Sequence, residues 1–89
     1  KQAYKFTVIT THADEISVEV LQTLHHGATK LSAVGAYKNE SRDVLICVVN
    51  KHQLAEFESI IKKYDNTFSF CEMVNETYGN FKRVRSSAH

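Results

Sequence analysis

Two hydrophobic spacings alternate along this chain. Tyr4 to Thr10 (YKFTVIT) sets Tyr4, Phe6 and Val8 on one side against Lys5 and Thr7 on the other, the period-two pattern of a strand with one face buried. Ile16, Val20, Leu21 and Leu24 then recur every three or four residues and predict one apolar helical stripe. Thr11 stands where a capping side chain belongs, and Asp14 and Glu15 put negative charge at the positive end of the helix dipole. Gly27, just after His25 and His26, is expected to take the left-handed conformation that stops this helix. Strand spacing returns from Ala28 to Tyr37, where Leu31, Ala33 and Tyr37 oppose Lys30 and Ser32; its polar and small residues predict an edge strand, with a bulge or close backbone approach at Gly35.

The polar turn Lys38-Asn39-Glu40-Ser41 leads into Asp43 to Val49 (DVLICVV), six apolar residues in a row after the aspartate. A valine- and isoleucine-rich run this short predicts a strand covered on both faces, the centre of the sheet. Asn50-Lys51-His52-Gln53 is a capping-box signature, and behind it Leu54, Phe57, Ile60, Ile61 and Tyr64 form the stripe of a second helix that Asp65-Asn66 ends. Thr67 to Val74 is the last strand, with Phe68 and Phe70 toward one side and Ser69, Cys71 and Met73 toward the other. One helical turn is expected between Asn75 and Phe81. The order strand, helix, strand, strand, helix, strand is the split βαβ pattern. Right-handed crossovers put both helices on one face of a four-stranded antiparallel sheet of order 4-1-3-2, an α+β ferredoxin-like βαββαβ sandwich. Whichever way the central strand faces, three of its apolar side chains remain on the open side. Ile9, Cys71 and Met73 are expected to extend that patch, so the domain is expected to self-associate as a homo-oligomer through its open sheet face, the competing account being cover by the chain's own tail from Asn75 to Val84.

Composition narrows this picture. Eighty-nine residues are one domain, read as 4–81, with a frayed N-terminus at 1–3 and a flexible tail at 82–89. The net charge of +1 gives no bulk attraction to nucleic acid, and the basic cluster Lys82, Arg83 and Arg85 reads as a solvated end. No window is apolar enough for a membrane span, and a chain that opens on Lys1 reads as a piece of something longer. Cys47 and Cys71 have no zinc spacing and read as small buried hydrophobes in a reducing compartment. They are not expected to pair, because the first strand lies between theirs.

Catalysis finds no support. His25 and His26 are adjacent and diverge by about 100° on a helix, His12 and His52 each open a helix, and no metal-binding pair is spaced along one. The acids Asp14, Glu15, Glu40, Asp43, Glu56 and Glu58 are scattered rather than convergent, and no glycine-rich phosphate loop occurs. The expectation is therefore no enzyme, no metal and no cofactor.

Gly27-Ala28-Thr29, Gly35-Ala36-Tyr37, the LICVVNK run from Leu45 to Lys51, Asp65 to Phe68 and Gly79 to Phe81 are similar to the cytosolic C-terminal domain of the YitT family of bacterial membrane proteins. The resemblance spans roughly Phe6 to Lys82 and departs at Asn66, where the family usually has proline. It implies a ferredoxin-like fold, related in outline to nitrogen-regulatory PII proteins and amino-acid-sensing domains but without a long effector loop. It also implies an upstream membrane domain in the same full-length chain and a place on the cytoplasmic side of the membrane. The blocks it highlights supply the candidate ligand residues Gly27, Ala28, Thr29, Gly35, Tyr37, Gly79 and Phe81. Small residues let a small-molecule or nucleotide-type ligand reach the backbone, and Tyr37 or Phe81 can stack on a flat ring. The plainer reading of the same residues is a helix stop, a bulge and a chain exit. The functional expectation is a non-catalytic regulatory module that senses a small ligand, and the alternative is a structural oligomerisation or protein-interaction domain without one.

Overall fold

The structure, a computed structural model, describes residues 2–34 and 41–75. In chain order it contains β1 (Ala3–Thr10), α1 (Ala13–Leu24), β2 (Thr29–Val34) and β3 (Ser41–Val49), then a 3-10 turn (Lys51–Gln53) that runs into α2 (Leu54–Ile61), and β4 (Thr67–Val74). The four strands form one antiparallel sheet of order β2-β3-β1-β4, the expected order read from its other edge. The bulge expected at Gly35, the residues from there through Glu40, the helical turn after Asn75 and the tail lie outside the described residues.

Strand register decides which side chains share a face. Phe6 pairs with Cys47 and Val8 with Leu45 across β1–β3, while Phe6 also pairs with Cys71 and Val8 with Ser69 across β1–β4. Directly opposed residues point the same way, so this set faces the helices. Against it α1 lays Ala13, Ile16, Val20 and Leu24, and α2 lays Phe57, Ile60 and Ile61. The Phe6 and Phe57 rings meet at 4.3 Å between centroids. Leu54 and Tyr64 pack on the margin of this core, which completes the stripe expected for the second helix. Ile16 and Val20 are poor helix formers by propensity, and their burial in this core is what holds α1.

Four local expectations are corrected. β3 is covered on one face only: Leu45, Cys47 and Val49 are buried, whereas Val44 and Ile46 are half-buried and Val48 is exposed. Its unbroken apolar run comes from an apolar open face, not from a second layer. The left-handed stop of α1 is His25 (φ 60°), two residues before Gly27, whose φ lies outside the left-handed range. Thr11 is exposed and does not cap: the N-cap is His12, which makes no side-chain bond to the first turn, and the fully buried Thr10 holds the approach to the helix from inside the sheet. Its Oγ1 accepts from the His12 N–H at 2.9 Å and donates to Thr67 Oγ1 at 2.7 Å, which in turn donates to the Asp65 carbonyl at 2.9 Å. Finally, Cys71 and Met73 project to the helix side of the sheet, and it is Phe68 and Phe70 that share the open face with Ile9, because Ile9 pairs with Phe68 and Thr7 with Phe70.

Candidate functional site

Three of the residues singled out from sequence, Gly27, Ala28 and Thr29, form the connection from α1 to β2. Every helix end leaves carbonyls without intrahelical partners, and here the chain satisfies them one by one. The Leu21 carbonyl receives the His25 N–H at 3.0 Å. The Leu24 carbonyl receives the Gln53 side-chain amide at 3.2 Å, while Gln53 Oε1 accepts the Asn50 N–H at 3.2 Å. The capping box foreseen at Asn50 and Gln53 thus also ties the start of α2 to the end of α1. The Gly27 carbonyl receives the buried Cys47 thiol at 3.7 Å. Burial pushes that thiol up to about 11, so it stays protonated and able to donate at neutral pH.

Gly27 itself is exposed, and a Cβ built on it would meet nothing within 4 Å. Neither conformation nor crowding among the described residues requires glycine there. Ala28 packs against the core, and Thr29 is exposed at the start of β2, paired with Ile46. Thr29 and Val34 stand at opposite ends of β2, about 17 Å apart at the usual rise per residue. The remaining candidates, Gly35, Tyr37, Gly79 and Phe81, lie outside the described residues. The cluster therefore consists of Gly27 to Thr29 with Cys47, Asn50 and Gln53. Sequence reading missed Cys47 and Gln53 as its supports; a buried thiol one strand away and an amide facing two ways carry no signal in spacing.

Two further features flank the core. His12 Nε2 lies 2.8 Å from Asp65 Oδ1 and its Nδ1 lies 3.7 Å from Glu15 Oε1, with the Tyr64 ring 5.5 Å away. Beside it Tyr64 donates to Glu19 Oε1 at 2.8 Å, and Lys63 also bonds Glu19. This exposed cluster fastens the start of α1 to the end of α2. An open groove of about 330 Å³ runs between α2 and β4, lined by Phe6, Glu58, Ile61, Lys62, Ser69, Phe70 and Cys71. Burial, and then the charges of Glu58 and Glu72, hold the Cys71 thiol above its ordinary value. Among the described residues no group of His, Cys, Asp or Glu is placed to hold a metal.

The side of the sheet away from the helices is the open face. Reading across the strands, it is built of the rows Glu72–Lys5–Val48, Phe70–Thr7–Ile46–Thr29 and Phe68–Ile9–Val44–Leu31. Phe68 is 64% exposed and Leu31 51%. Lys5 and Glu72, 3.9 Å apart, put an ion pair at one rim. Several large apolar side chains thus stand on the surface beside a polar rim.

A four-stranded antiparallel sheet with both helices on one face defines a ferredoxin-like α+β domain of the kind found in PII-type proteins. Residues 26–79 match the family described as an uncharacterized protein conserved in bacteria (DUF2179), and the chain belongs to that family. It is 35% identical over 79 residues to the UPF0750 membrane protein YvjA of Bacillus subtilis, and 31% identical over 78 residues to the UPF0750 membrane protein YitT of the same organism. These matches cover 86% and 85% of this chain but 28% of each relative, so the chain spans little more than a quarter of the relatives' length. The expected kinship with YitT-type membrane proteins holds. A solved DUF2179 protein from Eubacterium ventriosum superposes with a TM-score of 0.62 at 32% identity, covering 81% of this chain and 99% of that one. CPII, a nitrogen regulatory PII-like protein from Thiomonas intermedia K12 solved with ADP, AMP and bicarbonate, shares the fold at a TM-score of 0.58 and 15% identity over 88% of this chain and 98% of that one. No helix among the described residues is long and apolar enough to cross a membrane.

Proposed function

We propose that this domain is a non-catalytic regulatory module, held on the cytoplasmic side of a bacterial membrane protein, that takes up a small ligand at the α1–β2 connection. The observation that carries this reading is Gly27: an exposed glycine with open space where a side chain would stand, although its backbone asks for none. A glycine that nothing among the described residues requires is accounted for by a ligand that must approach its backbone. The membrane-protein relatives support the setting, and the fold shared with a nucleotide-bound PII-like protein makes nucleotides the first ligand class to try. Thermal-shift titration with nucleotides, cyclic dinucleotides and amino acids tests it. A specific ligand at 100 times its Kd stabilises by about 2.7 kcal/mol. Gly27→Val should abolish that shift while leaving the ligand-free melting temperature in place. A flat response to all three classes would sink the reading.

The open sheet face favours a second reading, a domain whose work is self-association through that face, with or without a ligand. Light scattering should then show a dimer or higher oligomer, and Ile46→Asp, in the middle of the face, should return a folded monomer. A monomer at micromolar concentrations in the unsubstituted chain would remove this second reading.

A further inference from the structure

The two edges of the sheet are unlike. β2 is six residues long and carries Lys30 in an ion pair with Asp14 at 3.0 Å, a charge of the kind that guards an edge. β4 is eight residues long and pairs with β1 from Ala3–Val74 to Thr10–Thr67 without a bulge. Along its outer side no strand pairs with it among the described residues. It has no proline, and its one charge, Glu72, is engaged with Lys5 on β1. Its side chains are apolar and exposed on both faces, Phe68 and Phe70 on the open side, Cys71 and Met73 on the helix side. A strand with apolar side chains on both faces, and a backbone edge left open among the described residues, has the makings of a docking strand.

We propose that β4 pairs antiparallel with β4 of a second copy of this chain, joining the two sheets into one. A second copy fits because β4 is complementary to itself. A two-fold axis through the pair keeps both open faces on the same side, so the register must centre on a residue. Centred on Phe70, the two Phe70 rings face each other and Ser69 opposes Cys71 of the second copy. The Glu72 carboxylates then sit four strand positions apart, about 14 Å. Centred on Cys71, the two Cys71 residues face each other, Phe68 opposes Val74 of the second copy, and the glutamates are about 8 Å apart. Neither register sets like charges directly opposite, the arrangement that would forbid pairing. The α2–β4 groove, open along β4, would then border the joint. This inference does not depend on the ligand reading.

The chain carries its own reporter. Cys47 is 2% exposed and Cys71 is exposed, so a thiol oxidant reaches Cys71 alone in the folded protein. Directly opposed strand residues have Cα atoms within the span a disulfide needs. Diamide, which takes the two thiol hydrogens as the S–S bond forms, should link native chains through Cys71 if the register centres there. If it centres on Phe70, the Ser69→Cys chain should link residue 69 to residue 71. Either yield should be severalfold above that of a control carrying Cys71→Ser with Glu56→Cys on the exposed side of α2. Cys71→Arg should abolish the dimer in sedimentation without moving the denaturation midpoint. Linking at control level in both the native and the Ser69→Cys chains would overturn the proposal. So would a dimer that survives Cys71→Arg and disappears with Ile46→Asp, which would put the contact on the open face instead.

Discussion

The two faces of this sheet are built from nearly the same kinds of residue and live in opposite surroundings. On the closed face Phe6, Val8, Leu45, Cys47 and Val49 are all 3% exposed or less, sealed under two helices. On the open face Ile9, Val44, Ile46, Val48, Phe68 and Phe70 are as apolar, yet among the described residues only the sheet itself shields them, and Val48, Phe68 and Phe70 are exposed. Apolar patterning therefore did not choose the buried face. Connectivity did: right-handed crossovers send both helices to one side, and residue parity within each strand follows from that. The difference teaches that the closed face is where folding free energy resides, while the open face keeps its apolar side chains outside the core that the described residues form.

Truncation at the closed face should have the largest effect. Phe57 is 1% exposed and lies against Phe6, so Phe57→Ala should lower stability by about 3–5 kcal/mol in a urea melt. A smaller loss would mean that α2 seals the sheet less tightly than its packing indicates. A matched pair sharpens the contrast. Val8→Thr buries a hydroxyl at a fully sealed position and should cost about 1–3 kcal/mol. Val44→Thr is the same change one strand away on the half-buried open face and should stay within about 0.5 kcal/mol for the isolated chain. Equal losses at the two positions would show that the open face is already covered in solution.

Most of the architecture was legible from spacing. The bounds of β4, the capping box at Asn50–Gln53, the stripe of the second helix and the strand order all follow from period and turn chemistry, whereas Leu21 of the stripe expected in α1 is exposed and Ala13 is buried instead. What escaped were features settled by tertiary contact. Gly27 looked like the helix stop because glycine tolerates a left-handed backbone at no steric cost. The chain instead turns at His25, whose N–H closes on the Leu21 carbonyl, since the Gln53 amide and the Cys47 thiol hold the next carbonyls in place. No spacing rule sees a bond from residue 53 to residue 24. The candidate site was legible only as a set of small residues, and its supports were not. His25→Val should accordingly cost about 1–2 kcal/mol, because a β-branched residue is strained in that conformation. Gly27→Ala should change stability by less than about 0.5 kcal/mol. The reverse order would return the helix stop to Gly27.

A last contrast separates the two cysteines, one sealed on the closed face and one exposed on β4. Burial raises the Cys47 thiol from its ordinary 9.0 to about 11, so the fold favours the protonated form. For an acid whose folded value is raised, the unfolded chain loses its proton first as the pH climbs. The associated stability is complete below pH 9 and drains away between 9 and 11. At pH 10 the loss amounts to about 1.4 kcal/mol, one unit of proton linkage. Cys47→Ala starts from a lower stability because it opens a cavity, but its stability should fall less steeply from pH 8 to 10 than that of the unsubstituted chain. Cys71→Ser should keep most of the slope, since Cys71 is exposed and burial weighs far less on its thiol than on the sealed Cys47. Urea midpoints for the three chains at pH 8, 9 and 10 decide the matter: parallel curves for Cys47→Ala and the unsubstituted chain would mean that water reaches Cys47 and that the closed face is not sealed.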